Sequence, residues 1–315
     1  MSAIVTVALP VFALILAGAI AARRGFLGPH ATSSLNLFVV YLALPSVLFQ
    51  AMAKIHPADL GDPGFLAAYG GAILLPFAAL LVVLRATGRR LADATLLSLG
   101  GTFSNTGYMG IPLCLIAFGE GSLVPGVVAM MITACPHFAA AIALIEADQQ
   151  ATPSWRRTTY KVGRALGRNP LLISSMLGLL VALSGLGLPG LALPVPVDRF
   201  LTLMGGASSP CALVAIGLLL GEQSERFAPR LVFQLVCIKL LVQPAIAWVI
   251  AYKLLALPPV WAATAVVMSA LPTGSGAFTL AQLYGRQRAS VSGIILVSTV
   301  ASFVTLSVLL AWLSG

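Results

Sequence analysis

The chain alternates ten apolar stretches with short polar connections, the apolar stretches falling at residues 3–22, 35–53, 65–84, 94–118, 123–145, 170–188, 200–220, 231–252, 260–281 and 291–313. Each is about 20 residues long, the length a helix needs to cross roughly 30 Å of hydrocarbon. Numbered one to ten, these spans predict an all-α integral membrane protein with ten transmembrane helices. Two of them are cut where a continuous helix would be the low-energy solution. Span four carries Asn105-Thr106-Gly107-Tyr108-Met109-Gly110-Ile111-Pro112, and span nine carries Leu271-Pro272-Thr273-Gly274-Ser275-Gly276. Pro112 cannot donate to the carbonyl of Tyr108, and the neighbouring glycines loosen the backbone further. An unpaired backbone group in hydrocarbon costs several kcal/mol, so such a break survives only where protein encloses it.

Composition agrees with the bilayer as solvent. The chain is 59% hydrophobic and 9% charged, with a mean hydropathy of +1.01. The spans and their connections leave no room for a separate soluble domain. A net charge of +9 invites a nucleic-acid partner, and the distribution of that charge excludes one. Of the 18 Lys and Arg, Lys239 alone falls inside a span; loops one, three, five, seven and nine hold 14, and the alternate loops hold 3. This is the positive-inside bias, and it predicts a multi-pass protein with both termini on the non-cytoplasmic side; the membrane expected is the cytoplasmic (inner) one. The first span begins at once and is followed by Arg23-Arg24, so no cleavable signal peptide is expected. Cys114, Cys135, Cys211 and Cys237 all lie within spans and read as buried thiols, without a disulfide framework or a zinc site.

Ten spans divide into two fives, and an odd number per repeat forces the second copy to be inverted. Prolines support a duplication: Pro10, Pro45, Pro76 and Pro112 mark spans one to four, and Pro170, Pro210, Pro244 and Pro272 mark spans six to nine at offsets of 160, 165, 168 and 160. The expected organisation is a first five-helix repeat at 1–145, a cytoplasmic linker at 146–169 and a second, inverted repeat at 170–315. The linker contains Trp155-Arg156-Arg157, Lys161, Arg164 and Arg168 and reads as a connection obeying the charge rule.

Paired interruptions in two halves point to a transporter binding site. With spans four and nine running in opposite directions, the breaks meet near the midplane. Each exposes the N-terminus of a half-helix, where free N–H groups and the dipole carry roughly +0.5 charge. Two such ends facing one cavity suit a small carboxylate. The expected substrate-binding residues are Asn105, Thr106, Gly110, Ile111 and Pro112 from the first break, and Pro272, Thr273, Gly274 and Ser275 from the second. Ser46 and Gln50 in span two are further candidates, beside Leu44-Pro45. Span seven carries Ala207-Ser208-Ser209-Pro210-Cys211, which lines the same cavity or packs helices closely. Span ten, with hydroxyl residues from Ser290 to Ser307, is expected to pack helices.

Lys239 lies nine residues beyond Arg230, about 13.5 Å along the helix and close to the middle of the hydrocarbon. An ionisable residue at that depth is a functional candidate. Its readings are a counter-charge for an anionic substrate, a group that titrates during transport, or a lysine bonded to carbonyls freed near Pro244 or snorkelling to the cytoplasmic face. No Asp or Glu lies deep in a span, which disfavours a carboxylate proton relay and sodium coupling through carboxylates. No cofactor or metal is expected, and a coupling ion, H+ or Na+, stays open. His137 follows Pro136 in span five and is expected to make structural hydrogen bonds.

The run Ser104-Asn105-Thr106-Gly107-Tyr108-Met109-Gly110-Ile111-Pro112-Leu113 resembles the first crossover of the auxin efflux carrier family. That family includes plant auxin exporters of the PIN type and bacterial permeases labelled as malonate or malate transporters. Leu44-Pro45, Gly167-Arg168-Asn169-Pro170, Pro210 with Gly217, and Leu271-Pro272-Thr273 are similar to it as well, so the likeness covers essentially the whole chain. The resemblance implies an inverted five-plus-five fold related to bile-acid sodium symporters. It implies a scaffold of spans 1, 2, 6 and 7 that often forms a homodimer, and a transport domain of spans 3–5 and 8–10 that moves like an elevator. It also implies contact between Asn105, beside Pro112, and a substrate carboxylate. The second crossover of the plant exporters carries a matching Asn where this chain has Thr273, Gly274 and Ser275, which favours a smaller or more polar anion than auxin. The cytoplasmic loop is short, so the phosphoregulation of long-loop plant members does not carry over.

The expected function is secondary transport of a small organic anion, malonate or a similar short acid, across the membrane. The alternative is an intramembrane ligand sensor or partner-binding subunit using the same pocket. An enzyme is not expected, because no nucleophile with a base and no metal cluster is visible.

Overall fold

The computed structural model describes residues 9–28, 30–53, 62–149, 159–160, 163–164, 167, 170–183, 194–222 and 228–313. Apart from one isolated backbone bridge, every regular element among these residues is helical. Span one contains α1 (Leu9–Arg24), span two contains α2 (Ala31–Phe38) and α3 (Leu44–Ala53), and span three is α4 (Pro63–Ala86). Span four splits into α5 (Leu91–Gly100) and α6 (Ile111–Phe118), and span five into α7 (Leu123–Ile132) and α8 (Phe138–Gln149). α9 (Pro170–Leu183) opens span six, α10 (Val195–Gly206) and α11 (Ser208–Glu222) make span seven, and α12 (Pro229–Cys237) and α13 (Gln243–Trp248) lie in span eight. Span nine splits into α14 (Pro259–Ala270) and α15 (Ser275–Leu283), and α16 (Arg288–Leu313) is span ten.

Six helical runs among the described residues are long and apolar enough to cross a membrane: Ala31–Gln50, Pro63–Ala86, Glu120–Gln149, Val195–Leu218, Pro229–Leu254 and Arg288–Leu313. Shorter apolar helices are Leu91–Gly100, Thr106–Phe118, Ile173–Leu183 and Pro259–Ala270. This is the build of a multi-pass membrane protein. Positions 3–8 of span one and 184–188 of span six lie outside the described residues. So do Trp155-Arg156-Arg157, Lys161 and Arg168 of the linker.

Proline shapes these helices in two ways. Pro63, Pro229 and Pro259 open helices, where the missing N–H would be unpaired in any case. Asp62 caps the first of these, its carboxylate accepting from the Phe65 N–H at 2.6 Å. Inside the spans, four wide π-type turns contain or directly precede a proline. They are Val39–Ala43 before Pro45, Thr106–Gly110 before Pro112, Thr133–His137 around Pro136, and Ile238–Val242 before Pro244. A proline ring clashes with the carbonyl four residues back, and the wider turn relieves the clash.

Two helix pairs pack backbone to backbone. A Cβ on Gly217 of α11 would lie 1.9 Å from the Ile15 carbonyl oxygen, and one on Gly18 of α1 would lie 2.2 Å from that of Val214. In the second pair, a Cβ on Gly178 of α9 would lie 2.5 Å from the Phe49 carbonyl oxygen of α3. Without an aqueous hydrophobic effect to press helices together, small residues permit the close approach that holds them.

A polar clamp gathers three other helices at one end. Arg286, between α15 and α16, donates through Nε to Asp93 Oδ1 at 2.9 Å and through Nη2 to Asp93 Oδ2. Gln287 Nε2 donates to the same Oδ1 at 3.2 Å, and Tyr284 Oη donates to Glu146 Oε1 at 2.9 Å. The Arg286 guanidinium holds the Asp93 carboxyl below the usual carboxylate range. The clamp joins α5, α8 and the α15–α16 turn.

Candidate functional site

The two breaks cross and bond to each other. Ser104 and Thr273 form an antiparallel bridge, in which Asn105 N donates to Pro272 O and Gly274 N to Phe103 O, both at 2.9 Å. Each break thereby pairs the backbone groups that the other leaves open, as the low-dielectric surroundings require.

Neighbouring side chains take up further loose ends. Thr273 Oγ1 donates to Gly100 O at 2.7 Å, at the C-terminus of α5, and the Thr273 N–H donates to Ser298 Oγ of α16 at 3.1 Å. Gln243 of α13, fully buried, donates through Nε2 to Thr102 O at 3.2 Å and to Ser104 Oγ at 3.4 Å. Lys239, also fully buried, donates through Nζ to Ser269 O at 2.7 Å, the carbonyl of the last turn of α14.

Beside the crossing lie two adjoining cavities of about 420 and 380 Å³. Both are bordered by Asn36, Asn105, Tyr108, Ser275 and Thr279. Thr32 of α2, Ala215 of α11 and Thr299 of α16 also border the larger one. Among the described residues, neither lining includes a charged side chain. The segment beginning at Thr106 and the helix beginning at Ser275 both start at the cavity walls, so two half-helix N-termini open on the same space. The Asn105 side chain makes no hydrogen bond among the described residues and is 8% exposed.

The sequence-expected residues divide into three groups. Asn105, Thr106, Thr273, Gly274 and Ser275 border one or both cavities. Gly110, Ile111 and Pro112 are buried beside them, Gly110 against Met268 and Leu271, while Pro272 contributes its carbonyl to the crossing. Ser46 and Gln50 border neither cavity: Ser46 Oγ donates to Leu42 O at 2.8 Å, and Gln50 Nε2 donates to Asp198 Oδ1 at 2.9 Å and Thr202 Oγ1 at 3.1 Å. Lys239 likewise borders neither, and its carbonyl partner belongs to span nine rather than to the neighbourhood of Pro244. His137 Nε2 sits 3.2 Å from Thr102 Oγ1 between the rings of Phe77 and Phe103.

Asn36, Tyr108, Thr279 and Gln243 are additions from the structure. Asn36 and Gln243 are amides inside apolar spans, a signal present in the sequence. Thr279 carries none, because a threonine one turn into a helix commonly bonds its own backbone, and this one does, to Ser275 O at 3.2 Å. Span ten does more than pack, since Ser298 and Thr299 reach the crossing and the cavity.

A family model described as membrane transport protein matches residues 3–310. The chain belongs to the membrane transport protein family. The match bears out the likeness to the auxin efflux carriers across the whole length. A Rhizobium meliloti (strain 1021) protein named "Putative malonate transporter" is 29% identical over 311 residues, covering 98% of this chain and 96% of its own. As a member of this family the protein is a membrane transporter and not an enzyme.

Proposed function

We propose that this transporter carries a small organic carboxylate, of malonate size, in the space beside the crossed breaks. The observation that carries the reading is the opening of two half-helix N-termini, at Thr106 and Ser275, onto one cavity with a neutral polar lining. Backbone N–H groups and the dipole ends favour an anion there, and the Asn105 amide and the Ser275 hydroxyl supply directed hydrogen bonds. Uncharged walls suit a passenger that must leave as readily as it enters. The name of the Rhizobium relative supports a dicarboxylate as the first compound to try.

The proposed architecture is two inverted five-helix halves making ten crossings, with the arginine-rich loops in the cytoplasm and both termini outside it. The antiparallel course of the two breaks where they cross at Ser104 and Thr273 supports it. So does the helix pairing, because exchanging the halves turns the α1–α11 contact of spans one and seven into the α9–α3 contact of spans six and two. Movement follows the elevator pattern, with spans three to five and eight to ten sliding against spans one, two, six and seven. Two features support this division: the clamp tying α5, α8 and α15 together, and the position of the cavity between α2 and α11 on one side and the crossing on the other. Exposed apolar side chains on α9 and α10, such as Leu177, Leu180, Phe200 and Leu203, offer a surface for a homodimer through spans one, two, six and seven.

The test is uptake of radiolabelled malonate into vesicles holding the purified protein. Asn105→Ala and Ser275→Ala are expected to lower the initial rate at least tenfold with thermal unfolding unchanged. Full-rate uptake in both variants would remove the site, and binding without flux in the native protein would favour a sensor.

A further inference from the structure

Each break leaves a half-helix C-terminus, and the two are satisfied differently. α5 ends at Gly100 and α14 at Ala270, each just before the crossing. Gly100 O accepts the Thr273 hydroxyl, whereas Ser269 O accepts from Lys239 Nζ at 2.7 Å. Across the bridge from Thr273, the Ser104 hydroxyl accepts from Gln243 at 3.4 Å. One carbonyl end is therefore closed by a hydroxyl and the other by a lysine side chain. No acidic side chain among the described residues forms an ion pair with Lys239. Ser269 Oγ and Gln243 Oε1 are buried without a partner among the described residues.

Half-helix C-termini and unwound carbonyls at mid-membrane are where secondary transporters hold a coupling cation, because the dipole there is negative. We propose that the Lys239 ammonium is a tethered substitute for that cation, holding the second break in its crossed form so that transport needs no bound metal ion. Lys239 is then a positioning residue: it acts on the substrate through α14 and the Thr273–Ser275 segment, and it borders neither cavity. The transport arm of the test rests on the carboxylate reading above, and the stability arm does not.

The experiment compares native protein, Lys239→Ala and Lys239→Gln in sodium, ammonium and choline chloride at equal ionic strength. In the stability arm, thermal unfolding of Lys239→Ala is expected to rise by roughly 5 °C in ammonium or sodium over choline, because a free cation fills the vacated place. Native protein is expected to unfold at one temperature in all three salts. In the transport arm, native malonate uptake is expected to be equal in sodium and choline. Lys239→Gln, which keeps a donor and loses the charge, is expected to fall at least tenfold and decides the matter if Lys239→Ala cannot be recovered. A sodium requirement in native protein, salt-indifferent unfolding of Lys239→Ala, or uptake by Lys239→Gln within twofold of native would each overturn the proposal. Absence of malonate uptake in native protein would instead sink the substrate reading and leave the stability arm to decide on Lys239.

Discussion

Tyr108 Oη donates a hydrogen bond to Asn36 Oδ1, fastening the first break to the second membrane segment. Both residues border both cavities, so the bond stands at the partition between them. It also crosses the boundary along which the proposed sliding takes place, and any such movement has to break it.

Tyr108→Phe removes that bond and keeps the ring. A net hydrogen bond contributes roughly 1 kcal/mol, so the balance between conformations should shift about fivefold away from the one described here. Labelling of a Thr279→Cys reporter by a membrane-impermeant maleimide, with the native cysteines replaced, would measure the shift. Equal labelling rates with and without the Tyr108→Phe substitution would show that the bond does not hold this state.

Thr273→Val leaves Gly100 O without its donor inside the protein. Valine matches threonine in shape, so the variant isolates the hydroxyl. An orphaned buried acceptor costs about 1–3 kcal/mol, and for a chain of this length that lowers the unfolding temperature by several degrees. Ser298→Ala, which strips the acceptor from the Thr273 N–H, should act in the same direction. The two effects should not add, because both act on one residue.

Gly217→Ala puts a methyl group 1.9 Å from the Ile15 carbonyl, a backbone atom that cannot swing aside. α1 and α11 must separate, with a loss of about 1–3 kcal/mol or of folded protein altogether. Gly206→Ala, at a glycine with open space around it, is the control and should be neutral within about 0.5 kcal/mol. Size-exclusion yield in detergent reports both.

The clamp makes a pH-dependent contribution. The folded-state pKa of Asp93 lies below its unfolded value of about 3.9, so the stabilisation is complete well above that pH. It disappears as the pH falls through the folded pKa. Asp93→Asn should therefore unfold at a lower temperature than native protein at pH 7, by an amount reflecting roughly 1 kcal/mol for a partly exposed pair. The two proteins should converge as the pH falls through the folded pKa of Asp93, and a gap that persists below it would assign the effect to packing.

Much of the architecture is readable from one dimension, because the bilayer leaves few choices. Apolar runs of spanning length, arginines in alternate loops and proline beside glycine in two spans are local patterns, and each has one physical solution in hydrocarbon. The breaks at Asn105–Pro112 and Leu271–Gly276 are legible for that reason. Their mutual pairing is not, because a backbone bond between Asn105 and Pro272 depends on how helices far apart in the chain are placed. The same holds for Gln50, whose amide turns to Asp198 and Thr202, and for Asn36, which turns to Tyr108. An amide in an apolar span announces that it must find a partner, and only the packing of neighbouring helices selects which one. Lys239 is the sharpest case. Its depth follows from counting residues, but the Ser269 carbonyl it closes, 30 residues further on, is free to accept because α14 ends at Ala270 and packing brings that end to the lysine.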